Sequence, residues 1–594
     1  WQAHRRPAGA PATRALLAFG AGVAGGAALA AVLLVPFGEL LWLSADLRER
    51  ADQSVDVHLP IRDALGIFLH DWWGRPTQTP LRPFLLDRAL YAGALPLALA
   101  AAALVLRPTV TRVAVALFGA LWLAVALGVP PFLQVVTRLP VFSSGHNTRL
   151  VVLSMLAVAL LAGWGLGELG SLRGASPGRA RVVVGIAAAL LLVPPAVAVA
   201  ATGLDAGEMG DAFRVAWLFA DSPTLVTNPG YEAAIRQSSL ILWIGLAGAA
   251  LALVLLRVSG RLAAGAFVAL ALALVCVDLF RAGMGYNPAI ERRFASVPAT
   301  AAIRELQRER PARFVSTEEI PQNVIPMRFG PHEARGYDVP IVRRFDGFWR
   351  SEVDPRSLGV AAGLLDIPLE LRDVTPRALR ALRLLGVTHV FQGATGRAAT
   401  PPYEPTPAPA PLRHEGLREV YSGPDARLYR LDGALPRIWF VPAQRVVEDG
   451  DAALDAIGRP GFEPRRTAVT ERRVRRVPER APSGAAGAAR LVEYGRERVV
   501  IRSRSERAGL VVLADTYYPG WKAEVDGEEV PVERVDYLLR GVPVPGGAHT
   551  VVFRYEPLSW TIGWVVSLLA LLGLAVALVA GGRRRRATTP PAAD

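Results

Sequence analysis

Acidic, histidine and tryptophan side chains gather in one stretch of this 594-residue chain. Between residues 44 and 89 stand Asp46, Asp52, Asp56, His58, Asp63, His70 and Asp71, followed at once by Trp72 and Trp73. Carboxylates and imidazoles of this kind act as general bases or hold a divalent metal. A solvated loop is the first reading for each of them; Asp46 and Asp71 lie nearest to apolar anchors and are the best placed of the set. Trp72 and Trp73 suit stacking on a sugar or a lipid, and equally suit anchoring at a membrane interface. Glu39 stands at the end of a long apolar run, three residues after Pro36. An acid there is costly to bury, which makes it a functional candidate unless water at the interface solvates it. His146 and Arg149 enter another apolar run, and a guanidinium at that depth either holds a lipid phosphate or snorkels to the headgroups.

The elements that must position these groups are apolar helices. Hydrophobic residues make up 52% of the chain, and the mean hydropathy is +0.30. The apolar residues are clustered in runs long enough to span about 30 Å of hydrocarbon. Eight spans are expected, near Ala15–Leu43, Leu90–Leu106, Val113–Val129, Leu150–Leu169, Val182–Ala201, Ser238–Leu256, Leu262–Phe280 and Leu558–Val579. With eight alternating spans, Arg5, Arg6, Arg14, Arg107, Arg112, Arg173, Arg179, Arg181, Arg257, Arg261 and Arg583 to Arg586 fall on one side. Positive residues mark the cytoplasmic side. The segments 44–89, 130–149, 202–237 and 281–557 then lie outside, and the C-terminus is cytoplasmic. This reading places the chain in a bacterial cytoplasmic membrane as a multi-pass protein.

The net charge of +14 is thus read as topology, not as a nucleic-acid surface. One cysteine, Cys276, excludes an internal disulfide and fits packing within a span. Asp278 and Arg281, three residues apart, are expected to pair on one helix face. There is no phosphate-binding glycine loop, no Cys/His metal spacing and no nucleic-acid motif. No nucleophile elbow is present either. The chain starts at Trp1 and reads as a piece of a longer or processed protein.

The expected organisation is a multi-span region over 1–281, an extracytoplasmic α/β region over 282–412, and a β-rich region over 413–557. A last span at 558–580 and a basic tail at 581–594 follow. Helices are expected over Thr300–Arg310 and Pro376–Leu385, with strands at Arg313–Ser316 and Val387–Phe391. Pro and Ala crowd Thr400–Pro411, which reads as a loop. From Gly509 to Glu556 short apolar strands alternate with turns, and Asp526-Gly527 is a favoured two-residue hairpin turn. That pattern predicts a small β-sandwich at 509–556. Within it, Tyr517, Tyr518 and Trp521 form either sandwich core or an aromatic sugar platform.

The run Ala514-Asp515-Thr516-Tyr517-Tyr518-Pro519-Gly520-Trp521-Lys522-Ala523 is distinctive. Val525-Asp526-Gly527, Leu539-Arg540-Gly541-Val542 and Val551-Val552-Phe553-Arg554-Tyr555 follow, and then a final span. This order resembles the C-terminal part of the YfhO family of bacterial membrane proteins. Gly285-Tyr286-Asn287-Pro288, Ala334-Arg335-Gly336-Tyr337-Asp338 and Leu384 to Val390 extend the resemblance over roughly 270–580. The resemblance implies a polytopic, GT-C-like membrane glycosyltransferase. It implies a polyprenyl-phosphate sugar donor and an envelope glycopolymer, lipid or protein as acceptor. It also implies a catalytic carboxylate in the first outer loop, with cationic or metal help for the departing phosphate. Family members carry further N-terminal spans, which puts that loop either at 44–89 or ahead of Trp1. On the first of these, Glu39, Asp46 and Asp71 are the catalytic candidates. Arg149 and His146 are the phosphate ligands, and Trp72, Trp73, Tyr517 and Trp521 touch sugar. A divalent metal is compatible with this set, and no other cofactor is implied. The alternative is a non-catalytic envelope protein whose outer domain binds glycan. A transporter is disfavoured because the span centres are nearly free of charge.

Overall fold

The computed structural model describes residues 12–45, 58–73, 90–139, 142–143, 147–172, 177–202, 231–283, 292, 298–308, 312–317, 328–336, 340–357, 369, 371–393, 409–481 and 487–587. Five helices are long and apolar enough to cross a membrane: Asn147–Ser171, Gly178–Ala200, Ile235–Val258, Ala264–Gly283 and Leu558–Gly581. The first expected span is two helices, α1 (Ala12–Leu29) and α2 (Ala31–Leu43), whose axes meet at 77°. The second and third expected spans are α3 (Ala94–Leu106) and α4 (Val110–Ala126), of 13 and 17 residues. At 1.5 Å per residue they reach only about 20 and 25 Å. Among the described residues five helices qualify as spans by length and apolarity, or six with the bent pair, against the eight expected from hydropathy.

The chain divides into two compact units. One comprises 48–298 and 397–406 and is built on the helices between them. Its frame is α3, α4, α5 (Val151–Ser171), α6 (Pro177–Thr202), α7 (Tyr231–Val258) and α8 (Ala264–Gly283). Helix α3 lies directly on α5, because a Cβ at Gly165 would stand 1.9 Å from the Leu99 carbonyl oxygen. Trp243 is fully buried and donates from Nε1 to the Leu191 carbonyl at 2.7 Å. At the arginine-rich ends, Arg112 pairs with Glu168 at 2.6 Å. Arg257 donates to the Leu169, Gly170 and Leu172 carbonyls. These are the orphan acceptors at a helix C-terminus, so this arginine caps α5.

The other unit comprises 1–47, 299–396 and 407–594. Its first layer is a mixed sheet with strand order β2-β1-β3-β5-β4. The strands are β1 (Arg313–Ser316), β2 (His332–Glu333), β3 (His389–Gly393), β4 (Leu417–Ser422) and β5 (Ala426–Leu431). Helices α9 (Ala301–Arg308) and α10 (Pro376–Leu384) flank it. Thr375 caps α10 by accepting from the Ala378 amide, with Pro376 in the first turn, where its missing N–H costs nothing.

The second layer is a sandwich. One sheet has β6 (Ile438–Val441), β7 (Gln444–Val446), β8 (Ala468–Thr470), β11 (Gly509–Thr516), β14 (Glu533–Val535) and β15 (Leu539–Val544). The facing sheet has β9 (Gly487–Tyr494), β10 (Arg498–Ser505), β12 (Trp521–Val525), β13 (Glu528–Val530) and β16 (Gly547–Tyr555). Ile438, Phe440, Val499, Ile501, Leu513, Val551 and Phe553 fill the space between. The sandwich is thus wider than 509–556, because strands from 438 onward complete both sheets. Asp526 and Gly527 make the β12–β13 turn with φ of 52° and 90°, the left-handed pair that such hairpins require.

The last helix, α11 (Leu558–Ala587), runs on from β16. It packs on α2 through Gly563, where a Cβ would stand 2.5 Å from the Ala31 carbonyl oxygen.

Candidate active site

In the helical unit, buried polar side chains converge at the end opposite the arginine-rich one. The segment after the 3-10 helix Ile61–Ile67 turns tightly, with Leu69 N–H bonded to the Leu65 carbonyl and Trp72 N–H to that of Leu69. This turn presents His70 and Asp71. Asp71 is 9% exposed. Its Oδ1 lies 2.5 Å from His70 Nδ1, and its Oδ2 lies 3.3 Å from a guanidinium nitrogen of Arg281 at the end of α8. Asp278, one turn before, accepts from the Tyr91 hydroxyl at 2.7 Å and from the Ala94 amide at 3.1 Å. The His70 ring meets that of Tyr91 edge-on at 5.1 Å.

The Ala94 bond places the N-terminus of α3 on a carboxylate, where helix N–H groups and macrodipole favour negative charge. Gly93 makes the approach possible. Its φ is +85°, and a Cβ there would stand 3.2 Å from Asp278 Oδ2. The expected pairing of Asp278 with Arg281 is replaced by this arrangement: Tyr91 and Ala94 serve Asp278, and Arg281 reaches across to Asp71.

Trp72 and Trp73 are buried within the core of the helix bundle. The Arg236 guanidinium sits 5.5 Å from the Trp72 ring centroid. Arg149 is exposed in the 3-10 turn Asn147–Leu150 that leads into α5. His146 and Asp46 lie outside the described residues.

Glu39 belongs to the other unit. It is half-buried and accepts from the Ser559 hydroxyl at 2.6 Å, joining α2 to α11. Burial, and then the Glu39 carboxylate, push the Tyr518 phenol up to about 12. The same two causes raise Tyr555. Tyr517 and Trp521 each carry an arginine on a ring face, Arg534 at 4.6 Å and Arg540 at 3.9 Å. Trp521 also packs on Tyr555 at 5.3 Å. These rings are part of a packed aromatic–arginine layer.

The structure thus brings together Asp71, Trp72 and Trp73 with His70, Arg281 and Arg236, and leaves Glu39, Tyr517 and Trp521 in a separate unit. The link from Arg281 to Asp71 spans 210 positions and had no sequence signal. Among the described residues, no three His, Cys, Asp or Glu side chains are grouped to hold a metal ion.

Residues 485–567 match the family of bacterial membrane protein YfhO. The segment covers β9 to the first turns of α11, where the resemblance read from Ala514–Ala523 and Val551–Tyr555 is carried. No curated protein matches the chain. Solved structures of the arabinofuranosyltransferase AftD from mycobacteria share 14% identity with it, one of them a mutant form. They cover 86% and 85% of this chain, with TM-scores of 0.18 and 0.20. The chain spans about half the length of those proteins, 52% and 50%. At such scores the likeness assigns no residue a role. The chain is a membrane protein with several apolar helices and a β-rich C-terminal region that carries the family segment.

Proposed function

We propose that this protein is a membrane glycosyltransferase that moves a sugar from a polyprenyl-phosphate carrier to an envelope glycopolymer, lipid or protein. The carrying observation is Asp71, a buried carboxylate held between an imidazole and a guanidinium at one end of the helices. In the reaction the bond from the sugar's anomeric carbon to the carrier phosphate breaks, and a bond to the acceptor oxygen forms. The acceptor proton passes to Asp71, which the Arg281 contact orients. Arg281 and Arg149 are suited to the negative charge left on the polyprenyl phosphate. The arginine-rich helix ends favour placing the Asp71 end outside a bacterial cytoplasmic membrane, together with the β-rich region. Glu39 is better explained as the link between α2 and α11.

A second reading rests on the same geometry. Both Asp71 oxygens are engaged, which also suits a structural tie in an envelope protein that binds glycan without transferring it. Polyprenyl-phosphate release by the full-length protein in detergent, from a polyprenyl-phosphate sugar, separates the two. Release that collapses in Asp71→Asn while the fold persists supports transfer. Release unchanged in Asp71→Asn and in Arg281→Gln removes this site from the reaction.

A further inference from the structure

One carboxylate in the sandwich is surrounded by three arginines. Asp515, on β11, is 9% exposed. Arg437 approaches its Oδ1 at 2.6 Å, Arg313 approaches the same oxygen at 3.3 Å, and Arg540 approaches Oδ2 at 4.0 Å. The Tyr494 hydroxyl donates to Oδ2 at 3.1 Å. Arg437 also stacks over the Tyr494 ring at 4.7 Å. The adjoining Arg335 and Glu333 are matched to each other at 2.7 Å, so they do not correct the excess. Among the described residues this cluster carries three positive charges against one negative.

Buried charge of one sign is costly unless something balances it. The hydrogen-bonding capacity is also incomplete. Arg313 Nε, Arg437 Nε and Arg540 Nη1 are buried and have no hydrogen-bond partner. Guanidinium groups form five hydrogen bonds in a rigid fork, and their unused donors match the oxygens of carboxylate or phosphate. Burial, followed by the charge of Arg437, lowers Arg313 to about 10.

A cavity of about 380 Å³ adjoins the cluster. Arg313, Arg437, Thr388 and the exposed Arg490 line it. It is open enough for a substituent on a chain to enter. We infer that this cavity binds an oxyanion, the carboxylate or phosphate substituent of an acidic glycan. Arg437 and Arg313 contact it from the buried side and Arg490 from the rim. Asp515 holds the arginine forks in place and limits their positive excess, so that the site releases its ligand. This role is independent of the transfer reaction and of Asp71.

The test uses the full chain in detergent, titrated with inorganic phosphate, glucuronate, glucose and chloride at constant ionic strength, with the thermal transition followed by tryptophan fluorescence. Phosphate, glucuronate or both are expected to raise the transition in a saturable way, while glucose and chloride do not. Saturation by phosphate alone identifies a phosphorylated glycan; saturation by glucuronate alone identifies a uronic acid. Arg437→Gln is expected to weaken that binding about ten- to a hundred-fold. Arg490→Gln, at an exposed position, weakens it about three-fold or more without moving the unliganded transition, so a folding defect in Arg437→Gln does not decide the result. No saturable shift with either anion overturns the site. So does an equal shift in the unmutated chain and in Arg490→Gln.

Discussion

The helical unit and the sandwich both bury an aspartate beside arginine, but with opposite balances. Around Asp71 and Asp278 the described partners are Arg281, His70, Tyr91 and one backbone amide. Among the described residues two carboxylates there face one fixed cation, with an imidazole beside Asp71. Around Asp515 one carboxylate faces three guanidiniums. The difference is one of chemical aptitude. A carboxylate held between an imidazole and a guanidinium suits general-base work. A group with excess fixed positive charge holds anions. Pairing an aspartate with arginine therefore does not define a role until the neighbours are counted.

The largest effect expected from this contrast is at Asp71. Asp71→Asn should lower polyprenyl-phosphate release about a hundred-fold or more, the size of a lost general base. Retained release would reduce Asp71 to a structural tie and erase the contrast. Next is Asp515→Asn, which leaves three guanidiniums without their counter-charge. It should destabilise the protein by about 3–5 kcal/mol in thermal or urea unfolding, with added phosphate recovering part of the loss. Burial raises a lone carboxyl, but Arg437, Arg313, Arg540 and the Tyr494 hydroxyl outweigh it and hold Asp515 below its usual range. Its contribution is thus present above about pH 4 and is lost as pH falls through the lower folded value. The Asn variant should lack that acid limb.

Asp536, in the same sandwich, sharpens the comparison because it has the opposite pH dependence. Its Oδ1 accepts from the Val469 amide at 2.8 Å, and its buried Oδ2 has no partner. Burial pushes its carboxyl up to about 7. Stability from this group is complete below about pH 4 and is lost as pH rises through 7. Asp536→Asn should stabilise by roughly 2 kcal/mol at pH 8 and by little at pH 4. A gain equal at both pH values would refute the buried neutral carboxyl. The smallest effect belongs to Ser567→Ala on α11, about 1 kcal/mol in thermal unfolding, the usual size of an interhelical hydrogen bond in a membrane.

Local elements were legible in sequence. The strand Arg313–Ser316, the helix from Pro376 and the Asp526-Gly527 hairpin were expected from short-range chemistry and stand where the pattern put them. Turn chemistry and alternation act over a few residues, so a sequence displays them directly. The span count was less legible because hydropathy records apolarity but not helix continuity. It joined α1 to α2 across the bend at Ala30 and extended α3 and α4 beyond their ends. Neither charged cluster was legible as a cluster. Asp71 was a candidate by its place in an acidic loop, but its partner Arg281 comes from another helix. Arg313, Arg437, Asp515 and Arg540 come from four segments of the chain, each ordinary alone. Tertiary folding creates their relation, and no local period encodes it.

The bend between α1 and α2 bears on how the protein is made. At the break the Val32 amide is hydrogen-bonded to the Ser567 hydroxyl at 2.9 Å, and that hydroxyl donates back to the Leu29 carbonyl at 2.9 Å. Hydrocarbon offers no water to satisfy such groups, and an unpartnered one costs several kcal/mol. The partner lies 535 residues further along the chain. During synthesis the N-terminal pair thus emerges long before the residue that completes it. Until α11 arrives the pair must straighten, stay near the wet interface or borrow another partner. The final bent form is a late product of assembly, set when the last helix enters the bilayer.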